Sequence, residues 1–256
     1  MLLFYTSFVY PVIIDDHDAD LIESVIQSCD LSKGLVLVLN SPGGSGLAAE
    51  RIVNVLRSYS PTGFEVVIPR AAKSAATMIA MGATQLHMSK TSELGPVDPQ
   101  IIQRQGEKSE VLPAYVIIDA YSELMDEAAK TKGNLHPYLQ QLQKYDPAFI
   151  KDLEREMDLS EKISLNVLGT GMLSGKTEAE ITTAIAKFLD PHETVSHGRA
   201  LLADDAMTAG LNVKMIDFAS ALWRDLWSLH VRADHNTKTT SLKIVETIKH
   251  QFLVPI

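Results

Sequence analysis

Cysteine is almost absent from this sequence of 256 residues, in which Cys29 is the single example. One thiol excludes an internal disulfide framework and a cysteine-based zinc site. Cys29 stands at the end of an apolar helical pattern, so we expect it to be a buried core thiol. Such a thiol is compatible with a reducing compartment.

Positive charge is also scarce, since 23 Lys and Arg stand against 32 Asp and Glu and the formal net charge is −9. No basic field is present that would collect phosphate groups. The composition therefore argues against a general nucleic-acid binder and against a binder of anionic membranes.

The apolar N-terminus, Met1 to Ile14, lacks the features of a signal peptide. No Lys or Arg lies near its start, and it runs directly into Asp15-Asp16-His17-Asp18. A signal peptide has a positive first region and a cleavage site of small residues. The segment is too short to cross a bilayer. We predict two short strands broken around Pro11, no transmembrane segment and a cytoplasmic protein.

Buried strands alternate with helices in the first hundred residues. Continuous apolar runs at Leu35 to Leu39 and at Phe64 to Ile68 are typical of strands covered on both faces of a parallel sheet. Gln85 to Met88 is a further short strand. Helical stripes lie between these runs, which indicates right-handed crossover units and an α/β fold with a parallel-rich sheet.

The rest of the chain is predicted to add to this main domain, 1–232, in two places. The polar stretch at about 103–150 is interpreted as an insertion of helices and loops, which could serve as a lid, an interface or a substrate tether. Residues 233–256 are interpreted as a C-terminal helical appendage. Its Ile244, Ile248 and Phe252 are candidates for docking on a partner subunit.

A glycine turn, Ser41-Pro-Gly43-Gly44-Ser45, lies between the first buried strand and the following helix. Two glycines permit positive φ angles and bring backbone N–H groups close to a ligand. Such amides can bind an oxyanion or align an extended peptide. A tight strand-to-helix turn is the structural alternative. The absence of a following Gly-Lys-Ser/Thr at the required spacing argues against a phosphate loop.

Ser74 occupies the equivalent position after the next strand and is flanked by small residues. It is either a nucleophile at the carboxyl edge of the sheet or a plain helix N-cap. The two turns follow successive parallel strands, so they meet at one edge. A nucleophile beside amide donors is the arrangement that acyl transfer requires.

Three strings of residues resemble a known family. They are Asn40-Ser-Pro-Gly-Gly-Ser, Ala72-Lys-Ser-Ala-Ala and Leu94-Gly-Pro-Val-Asp-Pro-Gln. Together they are similar to the serine dehydrogenase proteinase group, relatives of signal peptide peptidase A and of the Clp protease. The resemblance covers roughly residues 3–104 and implies a Clp/crotonase-type fold.

The same resemblance assigns roles to individual residues. Ser74 matches the nucleophile of the family. Gly43 and Gly44 match its oxyanion loop and would supply one amide, while Ala75 would supply the other. A homo-oligomer and a peptide or protein substrate are implied, with no cofactor and no metal.

The general base remains open between two residues. The histidine that follows the nucleophile in the Clp protease is missing, and the neighbourhood of Asp98 offers only a turn-forming sequence. Lys162 aligns with a lysine of the signal peptide peptidase group, and a lysine acts as a base when burial lowers its pKa. His197, in Ser196-His-Gly, stands where the family usually has a histidine. Lys73 is expected to point away from Ser74.

These features lead to a serine endopeptidase acting through an acyl-enzyme on Ser74. Two other functions stay open. A crotonase-type acyl-CoA enzyme shares the fold, but no cluster of Lys and Arg for a nucleotide is evident. A non-catalytic oligomeric scaffold is the third possibility.

Overall fold

A computed structural model of the chain describes residues 1–10, 12–105, 108–194 and 196–256. Two compact units are present in it. The first consists of Met1–Val97 with Ile163–Ile256, and the second consists of Asp98–Lys162. The predicted insertion at about 103–150 falls inside the second unit, which starts earlier and ends later than expected.

The strands of the described residues fall in three sheets, of seven, two and two strands. They are β1 (Leu2–Thr6), β2 (Leu35–Asn40), β3 (Phe64–Ile68), β4 (Ala71–Ala72), β5 (Gln85–Met88), β6 (Glu93–Leu94), β7 (Gln100–Gln105), β8 (Lys108–Pro113), β9 (Val213–Met215), β10 (Ser241–Glu246) and β11 (Gln251–Pro255).

The helices of the described residues lie between and after these strands. They are α1 (Asp16–Ile26), α2 (Gly46–Tyr59), α3 (Ala75–Met81), α4 (Ala114–Lys130), α5 (His136–Leu142), α6 (Pro147–Gly169), α7 (Glu178–Ala184), α8 (Ala186–Leu189), α9 (Pro191–Thr194), α10 (Ala203–Thr208) and α11 (Ala221–Thr239).

The main sheet of the first unit has the strand order β11-β10-β1-β2-β3-β5-β9. The five strands from β1 to β9 in this order run parallel. The hairpin β10–β11 adds two antiparallel strands at one edge. The predicted strands at Leu35–Leu39, Phe64–Ile68 and Gln85–Met88 are confirmed as β2, β3 and β5, and so is the α/β fold with a parallel-rich sheet.

Burial on both faces explains the continuous apolar runs of the central strands. Val38 and Val67 pack in one cluster with Trp223 and Leu226 of α11. On the opposite face, Leu37 is fully buried. Full burial of one such side chain stabilises the fold by about 1.5–3 kcal/mol. Because both faces of these strands are covered, their sequences lack the alternation of apolar and polar residues that is typical of strands with one face in water.

The prediction that residues 233–256 form a helical appendage is wrong. This segment forms the end of α11 and the hairpin β10–β11, which belong to the first unit. Ile244 pairs with Tyr5 of β1 and is 2% exposed. Ile248 and Phe252 follow Ile244 at helical spacing, but a turn closed by Thr247 N–H to the His250 carbonyl separates the two strands.

Cys29 is half-buried rather than enclosed in the core. It lies beyond the end of α1, where its thiol donates to the Val25 carbonyl at 3.3 Å. The helix ends three residues before Cys29, so the apolar stripe of α1 does not carry the thiol inward.

The second unit contains the antiparallel hairpin β7–β8, the helices α4 and α5, and the first part of α6. The sequence predicted helices and loops here. The hairpin is the element that was not predicted.

Candidate active site

The glycine turn and the serine segment lie together at the carboxyl edge of the main sheet. The turn follows β2, and the serine segment follows β3, the parallel neighbour of β2. Ser41 N–H donates to the Ala71 carbonyl and Lys73 N–H donates to the Ser41 carbonyl, both at 3.0 Å. These two bonds fix the segments side by side, as expected for turns that follow adjacent parallel strands.

Ser74 has a strained backbone. Its φ of 51° is the only positive value at a non-glycine residue in the described part of the chain. Such conformations cost about 1–3 kcal/mol and concentrate at functional sites. The side chain of Ser74 is half-buried and makes no capping hydrogen bond at the start of α3. The interpretation of Ser74 as a plain N-cap therefore loses its support.

Gly43 lies directly against Ser74. A Cβ atom on Gly43 would stand 2.7 Å from Cβ of Ser74 and 2.6 Å from the Lys73 carbonyl oxygen. The φ of Gly43 is 110°, a value that side-chain-bearing residues rarely adopt. A glycine is required here both for the backbone angle and for the contact with the serine.

The hydrogen bonds of the turn leave one of its glycine amides available. Gly43 N–H donates to Ser41 Oγ at 3.1 Å, and the Gly43 carbonyl accepts from Ile14 N–H at 2.8 Å. Gly44 N–H has no acceptor among the described residues. This N–H shares a trans peptide with the Gly43 carbonyl, so it points away from Ile14.

Ala75 N–H is the second available donor, with no acceptor among the residues that the structure describes. It follows Ser74 directly. Of the two glycines predicted to supply an amide, Gly44 thus has the open N–H, whereas that of Gly43 is already bonded.

Lys73 points away from Ser74, as expected. Its ammonium donates to the Leu94 carbonyl at 3.0 Å and forms an ion pair with Glu93 at 2.8 Å. Its aliphatic part covers Gly95, where an added Cβ would lie 2.7 Å from Lys73 Cδ. Lys73 thereby anchors the serine segment to β6.

A family model for ClpP-like SDH-type serine proteinases matches residues 2–155, more than half of the chain. The chain belongs to this family. The match includes the glycine turn, Ser74 and the following strand β6. It ends before Lys162 and His197, so it carries no information on either candidate base.

Two uncharacterized proteins of Methanocaldococcus jannaschii are similar in sequence. MJ0137 is 36% identical over 87 residues, which are 34% of this chain and 30% of the relative. MJ1495 is 29% identical over 135 residues, 50% of this chain and 43% of the relative. The chain thus spans less than half of the length of each relative that it matches.

Among solved structures, a mutant of the 1510-N membrane-bound stomatin-specific protease is similar at 17% identity and a TM-score of 0.43. The alignment covers 80% of this chain and 76% of that chain.

His197 lies in the same unit as Ser74, in the segment that leads to Leu201. Leu201 and Leu94 exchange backbone hydrogen bonds of 3.0 and 2.8 Å. Leu94 pairs through β6 with Ala72 of β4, two residues before Ser74. The segment of His197 is therefore joined to the serine segment by a short chain of strand contacts, and its side chain is half-buried.

Lys162 is the last residue of the second unit and is exposed. The next residue, Ile163, belongs to the first unit and is buried; its Cδ1 is 3.4 Å from the position of a Cβ on Gly46. The exposure of Lys162 removes the burial that a lysine base requires.

Several residues that hold the site together were not predicted from the sequence. Thr77, fully buried, has its Oγ1 2.8 Å from the Ala72 carbonyl and accepts from Gly95 N–H at 3.0 Å. Thr6 contacts Ser41 through their hydroxyls at 2.6 Å. Thr77 is visible in the sequence as the hydroxyl three residues after the serine. The contact of Thr6 with Ser41 depends on the pairing of β1 with β2.

Asp98, which the sequence places in a turn, is buried, with 3% exposure. Within the described ranges, no group of three or more His, Cys, Asp and Glu is arranged to hold a metal ion. No helix in those ranges combines the length and the apolar character needed to cross a membrane.

Proposed function

We propose that this chain is a serine peptidase that cleaves peptide bonds through an acyl-enzyme on Ser74. The contact between Gly43 and Ser74 carries the proposal, because it places the serine beside a turn with an open amide. Membership of a serine proteinase family supports the same reaction class.

The proposed oxyanion donors are Gly44 N–H and Ala75 N–H. Ser74 Oγ attacks the carbonyl carbon of an extended peptide, and the carbonyl oxygen becomes an oxyanion held between the two amides. Preorganised donors of this kind contribute on the order of 10²–10³ in rate each. Because Gly43 N–H is bonded to Ser41 Oγ, Gly43 acts by leaving space for Ser74.

The proposed base is His197, with Lys162 as the alternative. The base takes the Ser74 Oγ proton during attack and gives it to the departing amine, after which water hydrolyses the ester. The half-burial of His197 and its place in the same unit as Ser74 support it. Lys162 would need burial by a partner subunit, in the homo-oligomer that the family resemblance implies.

Labelling by a fluorophosphonate probe tests the proposal. The wild-type chain should become labelled at Ser74, and Ser74→Ala should abolish both labelling and cleavage of a casein-type protein substrate. Ser220→Ala is the matched control, because Ser220 is the N-cap of α11, outside the site, and its Oγ accepts from Trp223 N–H at 3.1 Å. This control should lose stability of about 1 kcal/mol and keep its labelling.

Labelling that survives in Ser74→Ala would refute the assignment of the nucleophile. A wild-type chain that is never labelled would favour the non-catalytic scaffold, provided that light scattering identifies the oligomer present and that this oligomer is also not labelled.

A further inference from the structure

The direction of the open Gly44 N–H bond is set by backbone hydrogen bonds between the glycine turn and Ile14. Ile14 N–H donates to the Gly43 carbonyl at 2.8 Å, and the Ile14 carbonyl accepts from Ser45 N–H at 2.9 Å. The two bonds form an isolated parallel β-bridge between Ile14 and Gly44. It holds the Gly43–Gly44 peptide with its carbonyl towards Ile14 and its N–H towards the opposite side. Rotation of that peptide would exchange the donor for an acceptor.

Ile14 cannot be displaced easily towards the turn or away from it. Its side chain is fully buried, and its backbone fills the space where a Cβ of Gly44 would lie, at 2.3 Å from Ile14 N. The next residue, Asp15, begins the capping box of α1. Because Ile14 and Asp15 are joined by a peptide bond, a shift of the Asp15 backbone would also move Ile14.

Lys243 of β10 fixes Asp15 and Asp18 from the main sheet. Its ammonium lies 2.7 Å from Asp15 Oδ2 and 2.8 Å from Asp18 Oδ2. Asp18 is completely buried and the side chain of Lys243 is 6% exposed. Asp15 N–H also donates to Asp18 Oδ2 at 2.9 Å. We call Asp15, Asp18 and Lys243 the ion cluster.

Burial makes the contact between Asp18 and Lys243 specific, while the side chain of Asp15 is 49% exposed. Removing charges from water is costly, and the cost is offset only when the partners stay in close contact. Burial raises the pKa of the Asp18 carboxyl, while its hydrogen bond to Lys243 acts in the opposite direction. A cluster that must remain closed is a rigid anchor for the backbone attached to it.

We propose that the ion cluster is a positioning device for the oxyanion site, acting through Ile14 to orient the Gly43–Gly44 peptide. Asp15, Asp18 and Lys243 touch no reacting atom in this scheme. They keep Gly44 N–H directed to the open side of the turn before substrate arrives. The inference rests on the proposed function, since it assigns the role of an oxyanion donor to Gly44.

The test is the double variant Asp18→Asn with Lys243→Met, which removes both buried charges together and leaves neither alone. Labelling by the fluorophosphonate should show a lower kinact, by about tenfold or more, with an unchanged KI. A displaced donor weakens the stabilisation of the tetrahedral centre and leaves binding of the probe unaffected. Amide hydrogen exchange at Ile14 should become faster in the same variant.

Asp15→Asn provides a milder second variant. Asparagine keeps the N-cap of α1, but it removes the charge that lies 2.7 Å from Lys243. It should shift kinact and Ile14 exchange in the same direction and by less. This variant keeps the inference testable if the double variant does not fold.

Arg51→Met is the matched control. Arg51 of α2 pairs with Asp16 and Asp20 of α1 and donates to the Asp16 carbonyl, but among the described residues it has no hydrogen bond or ion pair with Asp15 or Lys243. It should leave kinact and the exchange of Ile14 unchanged. A destabilised core variant, Ile22→Val, controls for general loss of stability, since Ile22 is a buried residue of α1.

The outcomes separate the inference from the proposed function. Unchanged kinact in the double variant, with Ser74 labelled in the wild type, would overturn the inference alone. Unchanged protection of Ile14 would overturn it even if Ser74 is never labelled. Absence of labelling in the wild type bears on the proposed function, whereas faster exchange of Ile14 would still support the anchoring role of the cluster.

Discussion

Gly43 and Ser74 are so close that a methyl group on residue 43 would overlap the serine, at 2.7 Å between the two Cβ positions. The residues belong to turns after β2 and β3, the neighbouring parallel strands. The contact makes the glycine a spatial requirement of the proposed nucleophile and gives the first prediction.

Gly43→Ala should lower the rate of fluorophosphonate labelling by about 10² or more, because the new Cβ displaces Ser74 from its donors. Gly34→Ala is the control. Gly34 also has a positive φ, 89°, but nothing lies within 4 Å of an added Cβ. Both variants carry backbone strain of about 1–3 kcal/mol. An equal loss of labelling in both would show that strain, and not the contact with Ser74, is responsible.

Thr77→Val should destabilise the fold by about 1–3 kcal/mol. The change keeps the shape of the side chain but leaves the Gly95 N–H without its acceptor, at a site that is fully buried. Urea unfolding monitored by circular dichroism measures the loss. Thr77→Ser keeps the hydroxyl and should recover most of it. A valine variant as stable as the wild type would contradict the role of this hydroxyl.

The adjacency of Gly43 and Ser74 could be predicted from sequence because each follows a buried strand of one parallel sheet. Turns that follow adjacent parallel strands lie at the same edge, whatever the rest of the chain does. The strained φ of Ser74 and the bonded state of Gly43 N–H were not predictable. They depend on Ser41 and on contacts between strands, which leave no local pattern.

The contacts of Lys243 show why other parts of the structure could not be predicted from the sequence. Its partners Asp15 and Asp18 lie near the opposite end of the sequence, and they meet only because β10 pairs with β1. The sequence pattern predicts a helical appendage for this segment, so the contact could not be anticipated. The contact of Lys243 with Asp15 and Asp18 depends on long-range strand pairing and not on a local preference of these residues.

The general base gives a further prediction. His197→Gln should reduce labelling of Ser74 by on the order of 10²–10⁴, the usual contribution of general base catalysis. Lys162→Met should leave labelling unchanged, because Lys162 is exposed and can be removed without loss of packing. The reverse pattern would identify Lys162 as the base and point to its burial in an oligomer.

The burial of His230 leads to a prediction of how the free energy of unfolding depends on pH. His230 is 3% exposed, and its Nδ1 lies 3.4 Å from the Tyr5 hydroxyl. Burial lowers the pKa of His230; Asp234 acts against this, while Arg70 and Lys238 add to it. The unfolded chain therefore binds a proton at His230 more readily than the folded chain does.

The sign follows from the linkage between protonation and folding. Stability contributed by neutral His230 is present above the unfolded-state pKa of about 6.5 and is lost as the pH falls below it. His230→Phe should retain the ring contact with Trp227, at 5.0 Å, and remove this dependence. Urea midpoints of both proteins, measured from about pH 7.5 to 5.5, give the comparison. The wild type should lose more stability over this range than the variant, and parallel curves would show that His230 does not contribute.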